Sequence, residues 1–174
     1  MISDVFHILV SRWDFFSALI MEHLFISLFA CLLAGIIGLF IGVYISERRK
    51  TAGPTLGVVN FIYTIPSISM LGFLIPLSGI GNVTAIIALT IYALLPMVRN
   101  TYTGIVNVDP ALIEAAQGMG ATPRQILTQV KLPLALPVII SGIRTMVVMT
   151  VALTGIASFI GAGGLGVAIY RGIT

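Results

Sequence analysis

Two histidines, one cysteine, six acidic and nine basic residues are the main reactive groups that 174 residues offer. His7 and His23 both precede the first long apolar run, and Cys31 stands alone inside it. A metal centre needs several ligands close together, and a nucleophile needs a base beside it. Neither pattern is present. Cys31 reads as a small packing residue, and a single cysteine supports no disulfide framework. There are no paired carboxylates and no glycine-rich phosphate loop, so the chain is not expected to hydrolyse ATP itself. No catalytic residue, metal or cofactor is assigned, and the chain is not expected to be an enzyme. Arg144 lies within an apolar segment. A charge there costs enough to be a candidate gate or pathway residue, with snorkelling or a structural ion pair as the competing explanation. Tyr63, Phe73 and Tyr92 are aromatic residues within apolar stretches, whose ring faces could attract a cation. Glu22, His23 and the Trp13, Phe15, Phe16 group read as solvated interfacial residues and an aromatic anchor.

The elements that must carry these residues are unusually apolar. The chain is 58% hydrophobic and 9% charged, against about 25% charged in soluble domains. Mean hydropathy is +1.11. A soluble domain of this size could not bury that much apolar surface. The expected fold is therefore all-α, a polytopic transmembrane helical bundle of about five spans. The formal charge of +3 is spread too thinly to suggest nucleic acid, and membrane lipid is the expected surrounding. Expected spans are roughly 20–46, 55–77, 83–98, 134–158 and 165–174. Leu24–Ser46 is free of charge over 23 residues, long enough to cross about 30 Å of hydrocarbon. Thr51–Val98 is also free of charge, and Ser78-Gly79-Ile80-Gly81-Asn82 divides it. Pro66 and Pro76 interrupt the second span, and Pro96 is expected to end the third. Gly38 and Gly42 have the spacing of a close helix contact. Backbone groups freed at Pro66 must find partners inside protein, which places that span against the bundle interior or a cavity.

Arg48, Arg49 and Lys50 follow the first span, and Arg99, Arg124 and Lys131 fall between the third and fourth. Cytoplasmic loops are enriched in such residues. Both basic loops are thus expected in the cytoplasm and the N-terminus outside. No cleavable signal peptide is evident, so the first span is expected to be a retained anchor. The last apolar segment, Leu165–Thr174, would give about 15 Å of helix and cannot cross a bilayer. Either it is an incomplete span of a truncated chain, the favoured reading, or it is re-entrant or completed by a partner.

Residues 99–133 read as a cytoplasmic elbow of two short capped helices. Asp109-Pro110 supplies an acceptor and a proline at the first helical position. Gly118 and Gly120 offer a stop, one of them in the left-handed conformation. Thr122 and Gln125 have capping-box spacing. Ile126, Leu127 and Val130 form an apolar stripe, and Leu132-Pro133 is expected to end the second helix. On pattern alone, a docking surface and a plain re-entry loop are equally good readings.

Glu114-Ala115-Ala116, Gly120 after three more residues, and Val130-Lys131-Leu132-Pro133 after nine more resemble the EAA loop of ABC importer permeases; Val130 departs from the usual isoleucine. The resemblance implies the core of a type I importer permease in a bacterial inner membrane. It implies that Glu114, Ala115, Ala116, Gly118, Gly120, Ala121, Leu132 and Pro133 belong to an ATPase-coupling loop. It also implies partners: two ABC ATPase subunits, a second permease subunit in a homodimer or heterodimer, and an extracytoplasmic substrate-binding protein. Residues 60–82, Tyr92–Pro96 with Arg99–Gly104, and Ser158–Gly166 are similar to the osmoprotectant permeases, which import glycine betaine, carnitine or choline. Methionine-type permeases are the near alternative, and a stand-alone channel or secondary transporter the alternative of another class. A membrane-bound enzyme lacks any catalytic constellation to support it. Tyr63, Pro66, Phe73, Tyr92 and Arg144 are the candidate translocation-path or gate residues.

Overall fold

Backbone N–H and C=O groups in hydrocarbon must be satisfied within the chain, and a helix does this segment by segment. The computed structural model describes residues 2–173, with side-chain surroundings from His7 onward. It is 89% helical, with no strand among the described residues. Helices run α1 (Ile2–Ser11), α2 (Trp13–Glu47), α3 (Arg49–Thr64), α4 (Ser67–Ser78), α5 (Asn82–Val106), α6 (Pro110–Gly118), α7 (Pro123–Gln125), α8 (Leu132–Ile156) and α9 (Leu165–Ile173). A π-helical turn, Ile126–Lys131, joins α7 to α8, and a 3-10 turn, Ala157–Ile160, follows α8. Three stretches are long and apolar enough to span a membrane: α2, α5, and Pro123–Ile160 as one run. The broken pair α3 and α4 would make a fourth. Thr174, where the last expected span ends, lies outside the described residues.

Several boundaries differ from those expected. The first helix element to cross begins at Trp13, so residues 13–23 are helical rather than a leader to the span. Pro96 lies inside α5, which continues to Val106. Proline removes one hydrogen bond, whereas ending the helix in an apolar medium would orphan up to four carbonyls. The second span does break at Pro66, which has extended ψ (135°). There the hydroxyl of Tyr92 donates to the Ile65 carbonyl, meeting the need for an internal partner. Leu132-Pro133 ends nothing: the helix runs through it into α8. The preceding π turn explains this, since Leu132 N–H bonds to the carbonyl of Leu127 and the widened ladder makes room for a ring lacking an N–H.

The chain divides into two units. Unit 1 comprises residues up to Leu32, Ile65–Tyr92 and Val147 onward; unit 2 comprises Leu33–Thr64 and Ala93–Met146. Within unit 2, helices meet at glycines. A Cβ on Gly42 would lie 2.5 Å from the Cβ of Thr101, and one on Gly38 2.8 Å from Met97. α2 and α5 therefore approach closely, as the spacing of those glycines suggests. A Cβ on Gly142 of α8 would lie 2.6 Å from Asn100, so α5 and α8 are equally close. Ile45, Ala52 and Val98 form a buried cluster beside these contacts.

Candidate functional site

The elbow of unit 2 is built by local chemistry. Asp109 accepts from the Ala111 N–H at 2.9 Å, with Pro110 in the first turn of α6. At the other end Met119, Gly120 and Ala121 donate to the carbonyls of Ala115, Gln117 and Ala116. The last two bonds make a Schellman closure, and it requires the left-handed residue that Gly120 supplies at φ +82°. Gly118 is an ordinary helical residue. Thr122 and Gln125 form the reciprocal capping box, with the Thr122 N–H bonded to Gln125 Oε1 at 2.8 Å. α6 packs against the π turn, where Ala116 and Ile126 are the buried residues of the two elements. Glu114, Ala115, Gly118 and Gly120 stay exposed, as do Leu112 and Met119. Ala121 and Leu132 are half-buried, and Pro133 is exposed. The result is a short, rigidly closed helix that offers a small apolar face with one carboxylate.

The candidate pathway residues are divided between the two units. Tyr63 belongs to unit 2 and is exposed; Phe73 and Tyr92 belong to unit 1. Phe73 is exposed on α4, whereas Tyr92 is buried with its hydroxyl engaged by Ile65. Pro66 is exposed at its break. Arg144 is exposed on α8, with no ion-pair partner among the described residues.

Glu22 and His23 are not the solvated pair that the sequence suggested. His23 is buried. Its Nδ1 accepts from the Leu165 N–H at 3.3 Å, which puts the proton on Nε2, bonded to the Val151 carbonyl at 3.0 Å. Glu22 accepts from Asn82 Nδ2 at 2.8 Å and from the Gly164 N–H at 3.2 Å, while Asn82 Oδ1 accepts from the Gly163 N–H at 2.9 Å. This network ties the α4–α5 turn and the turn before α9 to α2 within unit 1. A second missed contact joins Lys131 to Glu47 in unit 2. The partners lie 60 to 142 residues apart, and no local pattern in the sequence pairs them.

Residues 11–174 match the family model described as the binding-protein-dependent transport system inner membrane component. The chain belongs to this family. Similar relatives include the choline transport system permease protein OpuBB of Bacillus subtilis, 47% identical over 87% of this chain and 70% of the relative. Another is the osmoprotectant import permease protein OsmW of Salmonella typhimurium, 43% identical over 98% of this chain and 82% of the relative. Among solved structures, an inward-facing conformation of the MetNI methionine ABC transporter aligns with TM-score 0.81 and 29% identity, over 90% of this chain and 79% of that one. The protein is thus a transport permease component and not a catalytic enzyme, a multi-pass protein of the inner membrane.

Proposed function

We propose that this chain is the translocation subunit of an ATP-driven importer of osmoprotectants such as choline, glycine betaine or carnitine. The observation that supports it best is the exposed, doubly capped α6 closed by Gly120. A helix fixed at both ends can pass a displacement on, whereas a floppy loop would absorb it. Of two separate ATPase subunits, one would dock at Glu114–Ala121 of this chain, and Leu132 and Pro133 would lead that movement into α8. A second permease subunit, identical or related, would complete the pathway, and an extracytoplasmic binding protein would deliver the solute. The basic residues after α2 and around the elbow favour a cytoplasmic elbow and an external N-terminus. Tyr63, Pro66, Phe73, Tyr92 and Arg144 are offered as the pathway or gate set. Methionine is the second cargo to test, because of the structural likeness to MetNI; the higher identity to osmoprotectant permeases favours the first.

The experiment is uptake of radiolabelled choline, glycine betaine, carnitine and methionine by cells that depend on this transporter. Glu114→Lys and Gly120→Val are expected to cut uptake and binding-protein-stimulated ATP hydrolysis at least about tenfold, the scale of losing some 1.4 kcal/mol of coupling. Unchanged uptake and stimulation in both variants would remove α6 as the ATPase contact.

A further inference from the structure

Lys131 closes the π turn, and its Nζ donates to Glu47 Oε1 at 2.7 Å. The two residues are 84 positions apart. Glu47 has three bases immediately after it, Arg48, Arg49 and Lys50, yet it forms its ion pair with Lys131. Arg48 turns away: it lies 4.9 Å over the ring of Tyr44 and donates to its hydroxyl at 3.0 Å. Lys131 also occupies the one position of Val130–Pro133 that the EAA pattern leaves free, so the motif does not account for it.

Beside the pair is a cavity of about 320 Å³, lined further by Ser46, Arg49, Ile105, Val106 and Ile113. Ile113 brings α6 onto its wall, and Ser46 brings the end of α2. Where side chains do not fill the space, dispersion contacts resist little relative movement. A charge-assisted bond across the gap then matters more than it would on a packed surface. The π turn itself contacts both α6 and α7.

We propose that Glu47 and Lys131 are positioning residues, a tie that fixes the angle of the elbow to α2 so that a displacement of α6 reaches α2 as well as α8. The proposal rests on α6 being the ATPase contact. It is distinct from it, because the elbow could dock and still transmit through α8 alone.

The test is a charge-reversal cycle in the assembled transporter, reconstituted in vesicles with its ATPase and binding protein. Uptake of radiolabelled glycine betaine and ATP hydrolysis are measured together, and assembly is checked by size exclusion. Lys131→Glu and Glu47→Lys are each expected to lower solute moved per ATP by about threefold, the scale of a partly exposed pair. The double reversal is expected to recover most of that loss. A general structural defect would lower assembly and would not be rescued by reversal. Wild-type ratios in the single variants overturn the tie, as does a double variant no better than the worse single. If the reversals do not assemble, Lys131→Gln and Glu47→Gln are read the same way: a lowered ratio supports the tie and a wild-type ratio overturns it. Failure of the docking reading would look different, with Glu114→Lys and Gly120→Val leaving both uptake and binding-protein-stimulated ATP hydrolysis at wild-type levels.

Discussion

Gly120 and Gly163 are both sterically required, for different reasons. Gly120 has open space around a would-be Cβ, but its φ of +82° is left-handed, which costs an L-residue about 1–2 kcal/mol. Gly163 has no room: a Cβ there would come within 1.9 Å of the Glu22 carboxylate. Gly118, two positions from Gly120, is helical with open space around it. Gly120→Ala is therefore expected to loosen the end of α6, and Gly118→Ala to leave it intact or stabilise it by up to about 1 kcal/mol. Hydrogen exchange at the Gly120 and Ala121 amides, which close the helix, reads this directly. Faster exchange is expected in Gly120→Ala only; equal exchange in both variants would remove the steric argument. The caps at Asp109 and Thr122 were legible in the sequence because an acceptor and its donor lie within three residues of each other. Glu22 and His23 were not, because a charge beside an apolar run looks the same whether water or a distant turn satisfies it.

At the scale of elements, hydropathy found the helices and misplaced some of their ends. Pro66, Pro76, Pro96 and Pro133 are one residue type with one missing donor, yet the chain breaks only at Pro66. The break is possible there because the Tyr92 hydroxyl reaches Ile65, a contact set by tertiary structure. The glycines on α2 were more readable, since their spacing encodes a face. Gly42→Leu is expected to destabilise unit 2 by about 1–3 kcal/mol through overpacking against Thr101. Gly57→Leu, where nothing lies within 4 Å, is expected to have little effect. Thermal unfolding of the purified permease in detergent compares them, and equal midpoints would mean that α2 and α5 are not in close contact.

For the whole molecule, the family assignment and the proposed mechanism make different demands. A permease component that depends on a separate motor should not move solute when reconstituted alone. Vesicles carrying this chain without an ATPase are expected to show no choline flux above empty vesicles, and flux should appear only with the ATPase, the binding protein and ATP together. Nucleotide-independent flux would favour a channel or secondary transporter. The class of molecule was readable from 58% hydrophobic residues because lipid imposes so narrow a choice of structure. The stretch from Pro123 to Ile160 is helical without interruption along the sequence, but it is not one regular helix. The π turn at Ile126–Lys131 closes rings one residue larger than those of an α-helix. One residue is about 100° of rotation. A helical wheel drawn from α8 and continued into α7 would therefore be out of phase by roughly that angle, so the faces of the two segments must be charted separately.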